Sequence, residues 1–173
     1  GLGWMQNNRA ANAMEQLASD RGHTITTAVV KPTIGNQLLW RATYIYEDTV
    51  YTDAVRTGLF DGTDVYEGES SPLIDISKAF NSYRGTTLYS DLERFSRLSN
   101  GFLVRHPSKP QVIGDAAYSM LPTSLIPLWG VKIDTSRVDQ HLPFLYFRDS
   151  SPDVRDPFID MLLGKDLSTA SNL

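Results

Sequence analysis

Five side chains in this sequence have types and spacings suited to holding an anionic group: Lys31, Arg41, Arg56, Asp115 and Tyr118. Segments from Gln37 to Tyr46 and from Thr49 to Thr57 are rich in β-forming residues and flank Glu47-Asp48, so a two-residue hairpin turn is expected. That turn pairs Tyr46 with Thr49. Arg41 then faces Ala54 and Arg56 faces Leu39, which makes the two arginines diagonal neighbours on one face. Like charges that close are unfavourable unless an anion or a carboxylate lies between them. Guanidinium groups capture carboxylate or phosphate in a planar, bidentate manner. Lys31, at the end of the preceding strand-like segment, joins them if that strand pairs alongside. Asp115 could orient one of these cations, and Tyr118 could donate a hydrogen bond to a bound oxygen. The competing reading is internal: Asp115 or Glu93 neutralises the arginines, and Asp115, Tyr118 and Ser119 form a hydrogen-bonded turn.

Other chemistries find less support. Ser119 has no accompanying base, so a serine nucleophile is poorly supported and no catalytic residue is assigned. His23, His106 and His141 are far apart and form no HxH, HxxxH or HExxH motif. The chain has no cysteine, which excludes disulfides, thiolate catalysis and Cys-ligated zinc. Asp61, Asp64, Glu67 and Glu69 fail the spacing of a calcium loop. No Gly-rich phosphate loop, GxSxG elbow or dinucleotide fingerprint is present. No metal or other cofactor is expected to bind this chain.

The elements that would position these residues follow from periodicity and punctuation. Trp4 to about Asp20 reads as a helix with Trp4, Ala11, Met14 and Ala18 on its apolar stripe and Gly22 as its stop. Strands are expected over Thr24 to Lys31, Gln37 to Tyr46 and Thr49 to Thr57, followed by a polar loop from Phe60 to Leu73. Ile74 to Thr87 fits more than one reading. A second helix is expected with Ser90 as N-cap, Glu93 completing a capping box, and Asn100-Gly101 as its end. Four more strands are expected at Phe102 to Arg105, Gln111 to Ile113, Leu128 to Ile133 and Leu142 to Arg148. A last helix is expected from Pro152 to Leu163, with a flexible tail over 168–173. This order lacks strand–helix alternation, so it predicts an α+β fold: one domain over residues 1–167, with a mainly antiparallel sheet and three helices packed on it.

Between the second and third of those four later strands lies an unusual loop. Loops are ordinarily polar, yet this one carries Met120, Leu121, Leu125 and Trp129. It should pack against something, which makes it a candidate contact loop.

Five stretches occur in a recognisable order: Val-Val-Lys-Pro-Thr from Val29, Leu-Leu-Trp-Arg from Leu38, Glu-Arg-Phe from Glu93, Val-Ile-Gly-Asp with Tyr-Ser-Met-Leu-Pro, and Pro-Leu-Trp-Gly from Pro127. Together they resemble the soluble C-terminal domain of the bacterial predicted membrane-bound metal-dependent hydrolases, over about Trp4 to Leu163. The resemblance implies an inner-membrane-associated protein whose metal motifs lie in an N-terminal membrane part that this chain lacks. It also implies that the domain meets that membrane region. A divalent metal would belong to the missing part. A first residue of Gly1 rather than Met fits an excised piece.

Composition sets outer bounds. Hydrophobic residues make up 41% and charged residues 21%, ordinary values for a soluble globular chain of 173 residues. A net charge of −4 argues against nucleic acid as a partner. Between Asp61 and Asp75 there are five acids and no base. Three functions are consistent with these features. The first is an accessory domain that recognises substrate or partner, with the membrane surface or an anionic, lipid-like molecule as ligand. The second is an independent small hydrolase or anion-binding module using Asp115 and Tyr118. The third is a structural or oligomerising module.

Overall fold

A computed structural model describes residues 2–33, 39–58, 62–119 and 123–147, apart from the side chains of residues 2–4. The fold is α+β, with antiparallel strands divided between two four-stranded sheets. The first sheet is a meander of β1 (Thr27–Pro32), β2 (Leu39–Tyr46), β3 (Thr49–Thr57) and β4 (Thr63–Pro72). The second is a meander of β5 (Leu103–His106), β6 (Lys109–Asp115), β7 (Trp129–Lys132) and β8 (Phe144–Tyr146). Helix α1 (Leu2–Asp20) precedes the first sheet. The short α2 (Ile76–Ala79), a 3-10 turn and α3 (Thr87–Leu98) link the two sheets.

Three apolar clusters stack these layers. Ala10, Met14 and Ala18 of α1 pack on Trp40, Ala42, Tyr44 and Val55, one face of the first sheet. The opposite face contributes Ile45 and Val50 to a cluster with Phe102, Val104, Ala116 and Leu125 of the second sheet and its loop. The far face of the second sheet supplies Leu103, Ile113 and Val131 to Leu88, Leu92 and Phe95 of α3. Of the expected stripe, Met14 and Ala18 are buried and are joined by Gln6 and Ala10, whereas Ala11 is only half-buried and the side chain of Trp4 lies outside the described residues. Gly22 ends the helix in a left-handed conformation, with His23 N–H donating to Ala18 O at 2.8 Å.

Hairpin β2–β3 has the expected register, with Tyr46 opposite Thr49, Arg41 opposite Ala54 and Leu39 opposite Arg56. Two expectations are corrected. Most of the segment read as a polar loop, Phe60 to Leu73, is strand β4, paired with β3 from Thr57↔Thr63 to Thr49↔Pro72. Nearly every residue of β4 is exposed, so no apolar alternation marks it, and its strand form comes from pairing alone. Helix α3 begins before Ser90. Thr86 is its N-cap, its hydroxyl accepting from Tyr89 N–H at 3.2 Å, because Leu88 and Tyr89 are buried and already belong to the helix. The expected helix from Pro152 to Leu163 and the tail lie outside the described residues. No helix among the described residues is long and apolar enough to cross a membrane.

Candidate functional site

The hairpin register and the β1–β2 pairing place Lys31 directly across from Arg41 on the face of the first sheet that meets the second. From there the two side chains reach across to the β6–β7 connection. Arg41 is 6% exposed. Its Nη1 donates to Ser124 O at 2.7 Å and its Nη2 donates to Ala116 O. Burial pulls its guanidinium down to about 10, against the opposing pull of the Asp115, Glu69 and Asp53 charges. Lys31 donates from Nζ to the Tyr118 hydroxyl, and its ammonium lies 4.1 Å from the centre of the Tyr118 ring.

The chain of contacts continues inward. Tyr118 and Trp129 have ring centres 4.6 Å apart. Trp129 Nε1–H donates to Asp115 Oδ2 at 3.3 Å, and Ala117 N–H donates to Asp115 Oδ1 at 2.9 Å. Asp115 is 3% exposed. Burial raises its carboxyl above the ordinary carboxylate value, and the Ala117 and Trp129 donors offset part of that rise. The geometry closes the start of the apolar loop as an Asx-type turn.

Lys31, Arg41, Asp115 and Tyr118 thus come together at the junction of the two sheets. Arg56 goes elsewhere. It shares the face of Arg41 but bonds Asp64, its cross-strand partner on β4, at 3.2 Å. Glu93 is exposed on α3. Of the contact loop, Leu125 is buried in the inter-sheet cluster and Trp129 is half-buried at the start of β7. Met120 and Leu121 lie outside the described residues. The loop is also tied to β4: Glu69 N–H donates to Thr123 O at 2.9 Å, and Leu125 N–H donates to Glu69 Oε1 at 2.8 Å. Gly68 permits that approach, since a Cβ there would fall 2.2 Å from Thr52 O and 2.5 Å from Thr123 O.

A second polar cluster, on the α1 face of the first sheet, was not singled out from the sequence. Arg21, just past the end of α1, grips the buried Asp53 with both terminal nitrogens, at 3.0 and 2.9 Å. Gly68 N–H adds a third bond to Asp53 at 3.0 Å. Burial works against the Arg21 charge, yet the bonds to Asp53 and Tyr44 outweigh it and hold the guanidinium above its ordinary value. Arg21 also donates to the Tyr44 hydroxyl at 3.1 Å, and that hydroxyl lies 2.8 Å from His23 Nδ1. Arginine can only donate, so the Tyr44 oxygen accepts from Arg21, while the direction of its bond with His23 is set by the His23 tautomer. The His23 ring stacks on Tyr46 at 4.5 Å. The three tyrosines crowded into the hairpin, Tyr44, Tyr46 and Tyr51, are the signal in the sequence that could have found this cluster.

Among the described residues, no group of three or more His, Asp or Glu side chains is placed to hold a metal ion. No family model, curated protein or solved structure matches the chain.

Proposed function

We propose that this chain is the extramembrane accessory domain of a membrane-bound metal-dependent hydrolase, and that it carries out no hydrolysis itself. The membrane-bound parent comes from the ordered sequence resemblance. One observation supports the non-catalytic reading: Arg41 and Asp115, two polar residues of the resembling segments, direct their bonds inward. Arg41 bonds carbonyls of the opposite sheet's loop, and Asp115 bonds Ala117 and Trp129. A carboxylate so enclosed is placed to fasten the start of the β6–β7 loop to β7, and Arg41 is placed to hold the two sheets together. The domain's contribution is then a rigid surface beside the metal-bearing part, for recognition of substrate or partner.

Two assays test this. The isolated chain, supplied with zinc, manganese or magnesium, should hydrolyse no ester, amide or phosphoester. Deleting the region from the full-length protein should leave metal content intact while reducing turnover. Hydrolysis by the isolated chain that vanishes in Asp115→Asn would overturn the reading in favour of an independent enzyme.

An anion-binding role keeps support from one feature. Lys31 and Tyr118 are half-buried, and an ammonium has three hydrogens, of which one goes to Tyr118. Titration with inorganic phosphate should shift the Tyr118 ring resonances if an anion is held there; unmoved resonances would remove this role.

A further inference from the structure

His106 closes β5, and of the chain's three histidines it is the one that the fold buries, at 6% exposure. Its Nδ1 accepts from the Ser108 backbone N–H at 3.1 Å, in the turn that follows, and the Ser108 hydroxyl lies 3.3 Å from the same nitrogen. A backbone N–H can only donate, so Nδ1 carries no hydrogen, and the ring is neutral with its proton on Nε2. The arrangement has the form of an Asx turn, in which a side-chain oxygen accepts from the N–H two residues on. Here a nitrogen that can take up a proton stands in place of that oxygen. The same ring reaches a second part of the sheet. It meets the Phe147 ring at 5.0 Å in an edge arrangement. There the chain leaves β8, and Phe147 N–H donates to Leu128 O at 2.7 Å. Strands β5 and β8 are the two outermost of the second sheet, so this contact ties one border to the other.

Charge around the ring opposes a second proton. Lys109, paired with His106 from β6, holds its ammonium 5.8 Å from the centre of the Phe147 ring. Among the described residues it is the charged group whose field reaches the imidazole. Arg105, the neighbour on β5, is turned to Pro110 O instead. Burial first, and the Lys109 charge second, hold the imidazole below its ordinary value. We propose that His106 is an acid-sensitive latch: a proton gained from solvent at Nδ1 ejects the Ser108 amide, opens the β5–β6 turn and releases Phe147. The charged ring would have a donor facing a donor at Ser108, and would stand as a second cation beside Lys109 against one phenyl ring. Linkage sets the direction. Stability from a histidine depressed in the fold is complete above the unfolded value of about 6.5 and is lost as pH falls through the folded value. One proton lets the opening equilibrium grow by at most about tenfold per pH unit.

Nitrogen and amide NMR spectra of the whole chain, from about pH 8 to about pH 5, test this. At the upper end His106 should show a bare Nδ1 and a protonated Nε2. As pH falls, the Ser108 and Phe147 amides should lose protection from exchange together, with a His106 midpoint below the ordinary histidine value. His106→Asn separates this residue from every other titrating group, because an asparagine oxygen accepts from the N–H two residues on at any of these pH values. The variant should keep the Ser108 amide protected throughout and should lose less stability than the wild type on acidification. A protonated Nδ1 at neutral pH, a midpoint at or above the ordinary value, or a variant whose pH dependence matches the wild type would overturn the proposal. If the variant does not fold, the wild-type nitrogen spectra and the paired loss of amide protection decide it alone.

Discussion

The two faces of the first sheet solve the same problem, a cation against a hydrophobic layer, in different ways. On the α1 face, Arg21 meets the carboxylate of Asp53 directly, and its side chain remains 22% exposed. On the opposite face, Arg41 is buried and its terminal nitrogens are met by the carbonyls of Ala116 and Ser124, while Asp115 and Glu69 act on it through their charge. The difference shows what each arginine joins. Arg21 and Asp53 fasten the end of a helix to the sheet it already covers. Arg41 fastens one sheet to the loop of the other through that loop's backbone carbonyls. A charged residue whose donors are met between layers acts as a tie, and its cost of removal should exceed that of the solvent-touched pair.

Arg41→Ala carries the largest expected effect. Two carbonyls lose a buried charged donor, and the space of a buried side chain is left between the sheets. Loss of about 3–5 kcal/mol is expected from chemical denaturation. Arg41→Lys should recover part of it, since one ammonium cannot match the two-pronged reach of a guanidinium. A loss under about 1 kcal/mol would mean the sheets are held by apolar packing alone, and the contrast between the two faces would collapse.

Asp53→Ala comes next. It deletes the two bonds to Arg21 and the one to Gly68 N–H. Arg21 can relax toward water, so roughly 2–3 kcal/mol is expected, less than for Arg41. Hydrogen exchange should locate the loss at the end of α1 and around Gly68, where the β3–β4 register shifts between Tyr51 and Asp53. Exchange accelerated instead across β5 and β6 would show that the two faces are not separable.

What could be read from the sequence follows the same division. The β2–β3 register was legible because a two-residue turn fixes pairing locally, and Arg41 and Arg56 were placed on one face for that reason. Strand β4 was not, since it is exposed on both faces and carries no period. The partners of Arg41 were hidden for a different reason: backbone carbonyls have no signature in the identity of Ala116 or Ser124. Arg21 and Asp53 are 32 positions apart, and nothing in their local context links them. Two glycines of the resembling stretches have a packing explanation. A Cβ on Gly114 would fall 2.2 Å from Pro127 Cγ, and one on Gly130 would fall 2.4 Å from Ile113 O. Those residues are required by close approach of β6, β7 and the loop, whatever the domain binds.

Arg56→Ala has the smallest expected effect and sharpens the comparison most. Arg56 shares a face with Arg41, yet its contact to Asp64 lies toward the sheet's open end, with the Asp64 side chain 63% exposed. Water screens such a pair, and ordering two side chains offsets much of the attraction, so about 0–1 kcal/mol is expected. The loss should shrink further in high salt, whereas that of Arg41→Ala should barely change with salt. Denaturation of both variants at low and high ionic strength measures this directly. Equal losses for the two arginines, with equal salt sensitivity, would show that position under the second sheet makes no difference. The distinction would then lie in their local partners, not in the layers they join.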